Sequence, residues 1–349
     1  MPDSLAEVAF AIPGDIDAPT GGYAYDRRLL SLLPSYGIGA RHLALPGGFP
    51  NPSEDDLAET ERRLNATPEG TRLVIDGLAF GAMPADLVAR LDRRIIALVH
   101  HPLALESGIS AERRAALLAS ERAALAHARH VIVTSDATRR TLIADYGVPA
   151  AIITVAEPGT DPAPRATGTG SPMQLLSVGA VSPRKGYDVL VTALKPLATL
   201  DWRLTIAGAD DRDPAAVRAL RTEIDASGLA DRIVLAGTVV PATLDRFYDS
   251  ADLFVLPSRY EGYGMVLAEA MSRGLAIVCT TGGAAAETVP DAAAIKVPPG
   301  DAEALSRALA TVLGDNKLRK SMRRASWETG RTLPTWNETA RRVAAAIVG

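Results

Sequence analysis

The sequence predicts an α/β protein that consists of two doubly wound domains of similar size. Short apolar runs alternate with helical patterns along the whole 349-residue chain. The alternation is interrupted once, at a proline- and glycine-rich segment, residues 157–172. A chain of this length is too long for one ordinary hydrophobic core. Repeated strand, helix and strand patterns are typical of a parallel sheet covered by helices on both faces.

Twelve short runs predict the strands of these sheets. They are apolar on both faces and rich in β-branched residues, as strands of a covered parallel sheet are. In the first half they are EVAFAI (7–12), ARHLAL (40–45), RLVIDGL (72–78), IIALVH (95–100), HVIVTS (130–135) and AIITVA (151–156). In the second half they are QLLSVGAV (174–181), RLTIAGA (203–209), RIVLAGTV (232–239), DLFVLPS (252–258), AIVCTT (276–281) and AAIKVP (293–298).

The break in the pattern sets the predicted domain boundaries. They give an N-terminal domain at 1–165, a linker at 157–172, a C-terminal domain at 173–325 and a final segment at 326–349. Residues 335–349 read as an amphipathic helix, and we expect the final segment to pack back towards the N-terminal domain. Ligands of doubly wound sheets bind beyond the carboxyl ends of the strands, so two such domains facing each other predict a central cleft.

Composition excludes several classes of protein. The 37 basic and 41 acidic residues are nearly balanced, which gives no electrostatic footprint for nucleic acid. A single cysteine, Cys279, cannot form an internal disulfide, and its apolar run predicts a buried strand thiol. We see neither a signal-peptide pattern nor an apolar run of the roughly 20 residues that a membrane helix needs. The expected location is therefore the cytoplasm.

A loop at 179–186, after the seventh predicted strand, has the features of a phosphate site. It contains glycines together with Arg184 and Lys185, and it leads into a helical pattern. Backbone N–H groups and the helix dipole make such a junction receptive to phosphate. Lysine is scarce here, since the chain has 37 basic residues of which only 5 are lysines. Cations at a helix start are unfavourable for the helix itself, so they indicate an anion site.

Two features of the first half are more ambiguous. Thr20, Gly21 and Gly22 precede a helical pattern and suit contact with a phosphate or another group of a ligand, although a simple glycine turn explains them too. They match neither G-x-G-x-x-G nor a P-loop. His100 and His101 end the fourth strand and point opposite ways, so we expect one to face a ligand while the other packs. The alternative is that both are structural.

An acidic pair in the second half, Asp211 and Asp213, stands directly before Pro214. Two carboxylates at this spacing can hold a divalent metal. Acidic residues and proline are also what the start of a helix favours. We interpret the pair as a helix start and predict no metal site.

The stretch RYEGYGMVLAEAM, residues 259–271, carries two glutamates with seven residues between them. Glu261 lies on a glycine-rich loop beyond a strand, and Glu269 lies in the helix that follows, with its side chain directed back towards the helix N-terminus. The N–H groups of 262–265 form a second anion cradle. The two carboxylates are therefore suited to different hydroxyls of one ligand. The alternative is an ordinary helix with an exposed glutamate at each end.

Together these stretches resemble the retaining glycosyltransferases of family 4, which have the GT-B fold. The resemblance is carried by the E-x7-E signature in RYEGYGMVLAEAMSRGLAIVCTTGG and by SVGAVSPRKGYDVL, ADLFVLPS, GGAAAETV and PGTD. It covers nearly the whole chain and is strongest from 174 to 300. One departure is that family members often carry arginine at the position of Ala180 and glutamate at the position of Arg184.

The resemblance implies a role for each candidate residue. Glu261 would bind hydroxyls of the donor sugar, Glu269 would bind the ribose, and His100 would lie near the donor sugar. The diphosphate would be bound by Arg184 and Lys185 together with the amides of Gly262, Tyr263, Gly264 and Met265. Val239 would contact the base. Transfer would retain the anomeric configuration and would need neither a metal nor a cofactor besides the donor. Stabilisation of the leaving diphosphate would supply the catalysis.

The expected function is transfer of a hexose from a nucleotide-diphosphate sugar, UDP-linked, to a hydroxyl acceptor on a glycan, a lipid-linked sugar or a small molecule. A nucleotide-sugar epimerase or a phosphorylase on the same fold is the alternative. A nicotinamide oxidoreductase is disfavoured because no G-x-G-x-x-G follows the first strand. A silent sugar-nucleotide-binding protein would be marked by loss of Glu261 or Lys185, and both are present.

Overall fold

The structure is a computed structural model that describes residues 6–349. It divides into two compact units: the chain up to Gly159 together with Pro334–Gly349, called the first unit, and Thr160–Leu333, called the second unit. Each unit contains one six-stranded sheet. The strand pairs within both sheets are parallel. The prediction of two doubly wound α/β domains is confirmed.

The sheet of the first unit has the strand order β2-β1-β3-β4-β5-β6. Its strands are β1 (Ala6–Pro13), β2 (Ile38–Leu45), β3 (Arg72–Asp76), β4 (Ile95–Val99), β5 (His130–Val133) and β6 (Ile153–Val155). Strands β1, β3 and β4 are buried almost throughout, which explains their apolar sequences. The strand order reverses direction between β1 and β3, and this reversal is where an α/β sheet leaves a crevice at its carboxyl edge.

Seven helices of the described chain belong to the first unit. They are α1 (Gly21–Leu32), α2 (Glu54–Asn65), α3 (Gly77–Phe80), α4 (Ala85–Arg90), α5 (Ala111–Leu125), α6 (Asp136–Tyr146) and α14 (Trp336–Val348). Ser110 caps α5 by accepting a hydrogen bond from Arg113 N, as an N-cap serine does. At α14, Thr335 and Glu338 form a reciprocal capping box. The predicted final amphipathic helix is therefore present, and its start is fixed by side chains.

The sheet of the second unit has the order β12-β11-β10-β7-β8-β9. Its strands are β7 (Met173–Val178), β8 (Trp202–Ala207), β9 (Ile233–Gly237), β10 (Leu253–Leu256), β11 (Ala276–Thr280) and β12 (Ala294–Val297). Here the order reverses between β7 and β10. The loops that follow these two strands therefore lie side by side at the carboxyl edge of the sheet.

Seven further helices cover the second sheet. They are α7 (Tyr187–Leu194), α8 (Pro214–Ser227), α9 (Pro241–Ser250), α10 (Met265–Ser272), α11 (Ala285–Thr288), α12 (Ala302–Gly314) and α13 (Asn316–Gly330). Asp213 caps α8 by accepting a hydrogen bond from Ala216 N at 2.9 Å, so the helix-start interpretation is confirmed for Asp213. Cys279 is buried in β11, and burial raises the pKa of its thiol to about 12. No helix within residues 6–349 has the length and apolar character that crossing a bilayer requires.

The boundaries of the two units differ from the predicted domain limits. Residues 157–172 contain no helix or strand, but from Thr160 onwards they belong to the second unit. Ala166 is buried there and its N–H donates to Arg273 O at 2.9 Å. Residues 326–330 complete α13 and also belong to the second unit. Backbone hydrogen bonds and burial decide which unit these segments join. Their proline and glycine content does not record those contacts, so composition alone did not predict the unit.

A buried carboxyl group in the first unit, Glu121 on α5, gives a prediction about stability. Its Oε2 accepts a hydrogen bond from Leu103 N at 2.9 Å, and burial raises its pKa to about 8. The folded protein therefore binds a proton at this site between pH 4.5 and about 8, where the unfolded chain has released it. Stability falls as pH rises through that window, by up to about 1.4 kcal/mol per pH unit.

Replacing Glu121 with glutamine should make the slope shallower by this contribution, because the amide oxygen still accepts from Leu103 N but does not titrate. The measurement is the urea midpoint of wild type and variant between pH 5 and 8. Glu69→Gln, an exposed position of the same unit, is the matched control and should keep the wild-type slope. Equal slopes in wild type and Glu121→Gln would show that Glu121 is not the titrating group.

Candidate functional site

Two loops meet at the carboxyl edge of the second sheet, and they carry the motifs that the sequence singled out. The loop after β7 runs through 179–186, and the loop after β10 runs through 257–264. Arg259 N donates to Arg184 O at 2.7 Å, and the Arg184 guanidinium donates to Tyr260 O at 2.9 Å. The two motifs are thus joined by hydrogen bonds although they lie far apart in sequence.

Two glycines allow the loops to approach this closely. Gly186 has φ +66, and a Cβ added there would overlap the carbonyl oxygen of Pro257. Gly179 has φ +152, and a Cβ there would lie 2.8 Å from Cε of Lys185. Only glycine fits both the backbone conformation and the space at these positions. They let the Lys185 side chain lie across the β7 loop towards the β10 loop.

The centre of the site is a buried ion pair. Lys185 Nζ donates to Glu261 Oε1 at 2.6 Å, and Ser258 Oγ donates to the same oxygen at 2.6 Å. Arg184 Nη1 lies 3.5 Å from Glu261 Oε2. The side chains of Lys185 and Glu261 are only 11% and 8% exposed. Burial alone would raise the pKa of Glu261, but the two cations and the hydrogen bonds outweigh it and hold the pKa at about 2.

Glu261 is therefore a carboxylate at every physiological pH. The sequence placed Glu261, Lys185 and Arg184 in one site but did not reveal that Lys185 pairs with Glu261. The two residues lie far apart in sequence, and they meet only because β10 lies next to β7 in the sheet. Local sequence patterns therefore do not predict the pair.

Two helix N-termini open at this ion pair. Helix α7 follows Gly186 and helix α10 follows Gly264 (φ +87), and neither has a side-chain cap. Their first N–H groups carry the positive end of the helix dipole. The remaining residues of the second predicted cradle are packed to different degrees, since Tyr263 is buried while Gly262 and Met265 are half-buried. A buried ammonium beside uncapped helix N-termini suits a polyanion such as a diphosphate.

Glu269 lies on α10, one turn beyond this cradle, and is half-buried. The O–H of Tyr248 on α9 donates to its Oε2 at 2.8 Å. Arg273 lies over the Tyr248 ring, 4.3 Å from the centroid. Burial raises the pKa of Glu269. Val239, the predicted base contact, is half-buried and lies two residues before α9. The role of both residues in ligand binding stays a prediction.

In the first unit, His100 lies beyond the end of β4 beside two buried carboxylates that sequence reasoning missed. Its Nε2 is 3.2 Å from Asp26 Oδ1 on α1 and 3.5 Å from Asp76 Oδ2 at the end of β3. Burial raises the pKa of Asp26. Burial alone would lower the pKa of His100, but the two carboxylates outweigh it and raise the pKa. Neither aspartate has a distinctive neighbour in sequence, so only strand adjacency could have revealed them.

Within residues 6–349, the side chains of Asp26, Asp76 and His100 form a cluster of carboxylate and imidazole groups that are close enough together to hold a metal ion. Their ligand atoms lie within 4.8 Å of one another. His101 diverges from this cluster, because its Nε2 lies 3.4 Å from Glu106 Oε2. Of the two adjacent histidines, His100 is thus the one held by buried charges.

The predicted glycine loop of the first unit has a packing role. Thr20 caps α1 by accepting a hydrogen bond from Tyr23 N at 3.1 Å, and Gly21 is the first residue of the helix. A Cβ on Gly22 would lie 3.1 Å from Cδ2 of His100, so the imidazole ring packs against this glycine. The His100 ring leaves little room for a side chain at position 22, which explains the glycine there. Contact of Gly21 and Gly22 with a ligand stays a prediction.

Two family models match consecutive parts of the chain. The model described as "Glycosyl transferases group 1" matches residues 164–328. The model described as "Glycosyltransferase Family 4" matches residues 74–164. The first covers the Lys185–Glu261 site, and the second covers Asp76 and His100.

Curated relatives and solved structures agree with these matches. Mannosylfructose-phosphate synthase of Agrobacterium fabrum is 29% identical over 63% of this chain and 52% of its own length. The chain spans about half the length of the curated relatives it matches. Sucrose-phosphate synthase of Thermosynechococcus elongatus superposes with a TM-score of 0.80 at 20% identity, covering 97% of this chain and 98% of its own. HepE of Anabaena, in complex with UDP-glucose, gives 0.77 at 17% identity, covering 97% and 99%. These likenesses establish the GT-B fold.

Proposed function

We propose that this chain, which belongs to the family 4 glycosyltransferases with the GT-B fold, transfers a hexose from a nucleotide-diphosphate sugar to a hydroxyl acceptor. One observation carries the proposal: a buried lysine paired with a buried glutamate, beside two uncapped helix N-termini. A cation and an anion in one site match the two ends of the reacting bond. The cation suits the diphosphate and the carboxylate suits the sugar.

The diphosphate is bound by Lys185 and Arg184 together with the amides of residues 262–265. Negative charge grows on the diphosphate as the glycosidic bond breaks, and preorganised donors aimed at that charge lower the barrier. Burial strengthens each of these interactions because the local dielectric is low. Two cationic side chains and the N–H groups of two helix N-termini supply the positive potential, so we propose that transfer needs no metal and no cofactor besides the donor.

Glu261 binds hydroxyls of the donor sugar. Its pKa of about 2 keeps it ionised, so it accepts hydrogen bonds and does not act as a proton donor. A carboxylate neutralised by two cations is also a weak nucleophile. We therefore propose that the acceptor attacks on the face from which the diphosphate departs, with retention of configuration and without a covalent intermediate on Glu261.

The donor we propose is UDP-linked, with Glu269 on the ribose, Val239 at the base and His100 beside the sugar. Support for UDP comes from the Anabaena neighbour, which is described in complex with UDP-glucose. The name of the Agrobacterium relative indicates a mannosyl group instead. The sugar and the base are therefore the first properties to measure.

A thermal-shift panel of UDP-glucose, UDP-galactose, GDP-mannose and NAD tests the donor directly. A ligand that binds only the folded state adds about 2.7 kcal/mol of stability at 100 times its Kd. We expect a UDP-sugar to give the largest rise in melting temperature. A rise with NAD alone would overturn the proposal and favour an oxidoreductase.

Product analysis tests the reaction class. The anomeric configuration of the product, read by proton NMR, is expected to match that of the donor. Turnover without any acceptor, giving an epimer, or turnover that depends on phosphate would favour the alternative enzymes of this fold.

A further inference from the structure

Asp26 and Asp76 form a buried carboxylate pair behind the ring of His100. Both carboxylates approach the same ring nitrogen, Nε2, at 3.2 and 3.5 Å. Asp26 is 0% exposed and its Oδ2 has no hydrogen-bond partner in the part of the chain that the structure describes. Buried carboxylates without cations are costly, and a protonated imidazole ring at these distances stabilises both of them.

The ring is held from several other sides. A Cβ added to Gly22 would lie 3.1 Å from Cδ2, and the Tyr25 ring packs edge-on with centroids 5.3 Å apart and an interplanar angle of 82°. The O–H of Tyr25 is in turn fixed by donating to Ala156 O at 2.9 Å. Thr134 Oγ1 donates to the His100 carbonyl oxygen at 3.1 Å. If the His100 ring were rotated by half a turn, a carbon atom instead of Nε2 would face the two carboxylates. The contacts with the carboxylates therefore favour one ring orientation.

We propose that Asp26 and Asp76 are positioning residues that hold His100 as an imidazolium, with Nε2–H directed at the carboxylates and Nδ1–H left to donate to the ligand. The inference rests on the proposed function, in which His100 lies beside the donor sugar. Carboxylates accept hydrogen bonds only, so the nitrogen facing them carries a proton. The partner of one ring nitrogen thereby sets what the other nitrogen can do.

The proposal has a chemical consequence for transfer. A protonated ring at this position is a cationic hydrogen-bond donor, and it cannot take a proton from the acceptor. It suits a sugar hydroxyl oxygen or a phosphate oxygen, which accept such bonds strongly. The His100 side chain is 19% exposed, so it is not fully enclosed by the first unit.

The charged groups that face the ring come from two elements, Asp26 from α1 and Asp76 from the end of β3, and Tyr25 is a further titratable neighbour. A divalent metal on the same three ligand atoms is the competing arrangement. Nitrogen Nε2 cannot bind a proton and a metal at once, so the two arrangements exclude each other.

The test is the protonation state of His100 in protein labelled with ¹⁵N-histidine, observed by NMR from pH 6 to 9. We expect both ring nitrogens of His100 to be protonated at pH 8 in wild type. In Asp26→Asn and Asp76→Asn the ring should lose a proton at lower pH than in wild type. Glu121→Gln, which removes a buried carboxylate elsewhere in the first unit, should leave the His100 titration unchanged.

Kinetics provide the second readout. Each aspartate variant is expected to lower kcat by roughly 10-fold with a smaller change in KM, as loss of an orienting partner does. Its pH–rate profile should gain a basic limb that wild type lacks. Glu121→Gln should keep the wild-type rate at the same pH.

A neutral His100 in wild type at pH 7 would overturn the proposal even if neither variant folds. So would an unchanged titration in both variants, or one equivalent of divalent metal in wild type by mass spectrometry. The NMR readout does not depend on activity. A confirmed imidazolium in a protein that transfers no sugar would therefore reject the proposed function alone.

Discussion

Replacing Glu261 with glutamine is expected to lower the rate of sugar transfer by at least about 100-fold, the size of effect seen when one preorganised polar group is removed from an active site. Glutamine has nearly the same shape and can still accept a hydrogen bond from Lys185 or Ser258. It lacks the charge that strengthens hydrogen bonds from sugar hydroxyls. The measurement is kcat and KM with the donor identified by thermal shift.

Glu303→Gln is the matched control, since Glu303 is an exposed glutamate on α12 of the same unit. It should transfer sugar at the wild-type rate. Nucleotide binding by Glu261→Gln should survive, because the diphosphate contacts come from other residues. Transfer by this variant at the wild-type rate would mean that Glu261 does not contact the donor sugar.

The fold could be predicted because strands that are buried on both faces appear in the sequence as short, continuous apolar runs. All five residues of β11 are buried, and the run AIVCTT predicted that strand. Strand β6 is only half-buried at the edge of its sheet, yet its helical neighbours and its β-branched residues still identified it. The order of strands was not predictable in this way, because local patterns do not specify which strands pair.

The candidate site was predicted only as separate pieces for the same reason. Glycine, helix N-termini and charged residues at strand ends are local signals, and they identified Lys185 and Glu261. The ion pair between them depends on the pairing of β7 with β10. Asp26 and Asp76 gave no local signal and meet His100 only because β1, β3 and β4 are neighbours. Long-range geometry therefore decides which charges meet.

The role of Lys185 can be divided into a structural and a functional part. Replacing Lys185 with methionine leaves the buried Glu261 carboxylate without the cation that lies 2.6 Å away. Removing one partner of a buried ion pair typically costs about 3–5 kcal/mol. Arg184 remains 3.5 Å from the other carboxylate oxygen, so we expect the lower end of that range.

The double variant Lys185→Met with Glu261→Gln should recover most of the lost stability, since neither charge is then left unpaired in the site. Urea unfolding of the wild type, both single variants and the double variant measures the coupling free energy, expected at about 1–3 kcal/mol. The double variant should nevertheless remain inactive and bind UDP more weakly than Glu261→Gln does. Purely additive effects on stability would show that the pair is not coupled in solution. Unchanged affinity for UDP in Lys185→Met, measured by calorimetry, would remove Lys185 from the diphosphate site while leaving the structural pair intact.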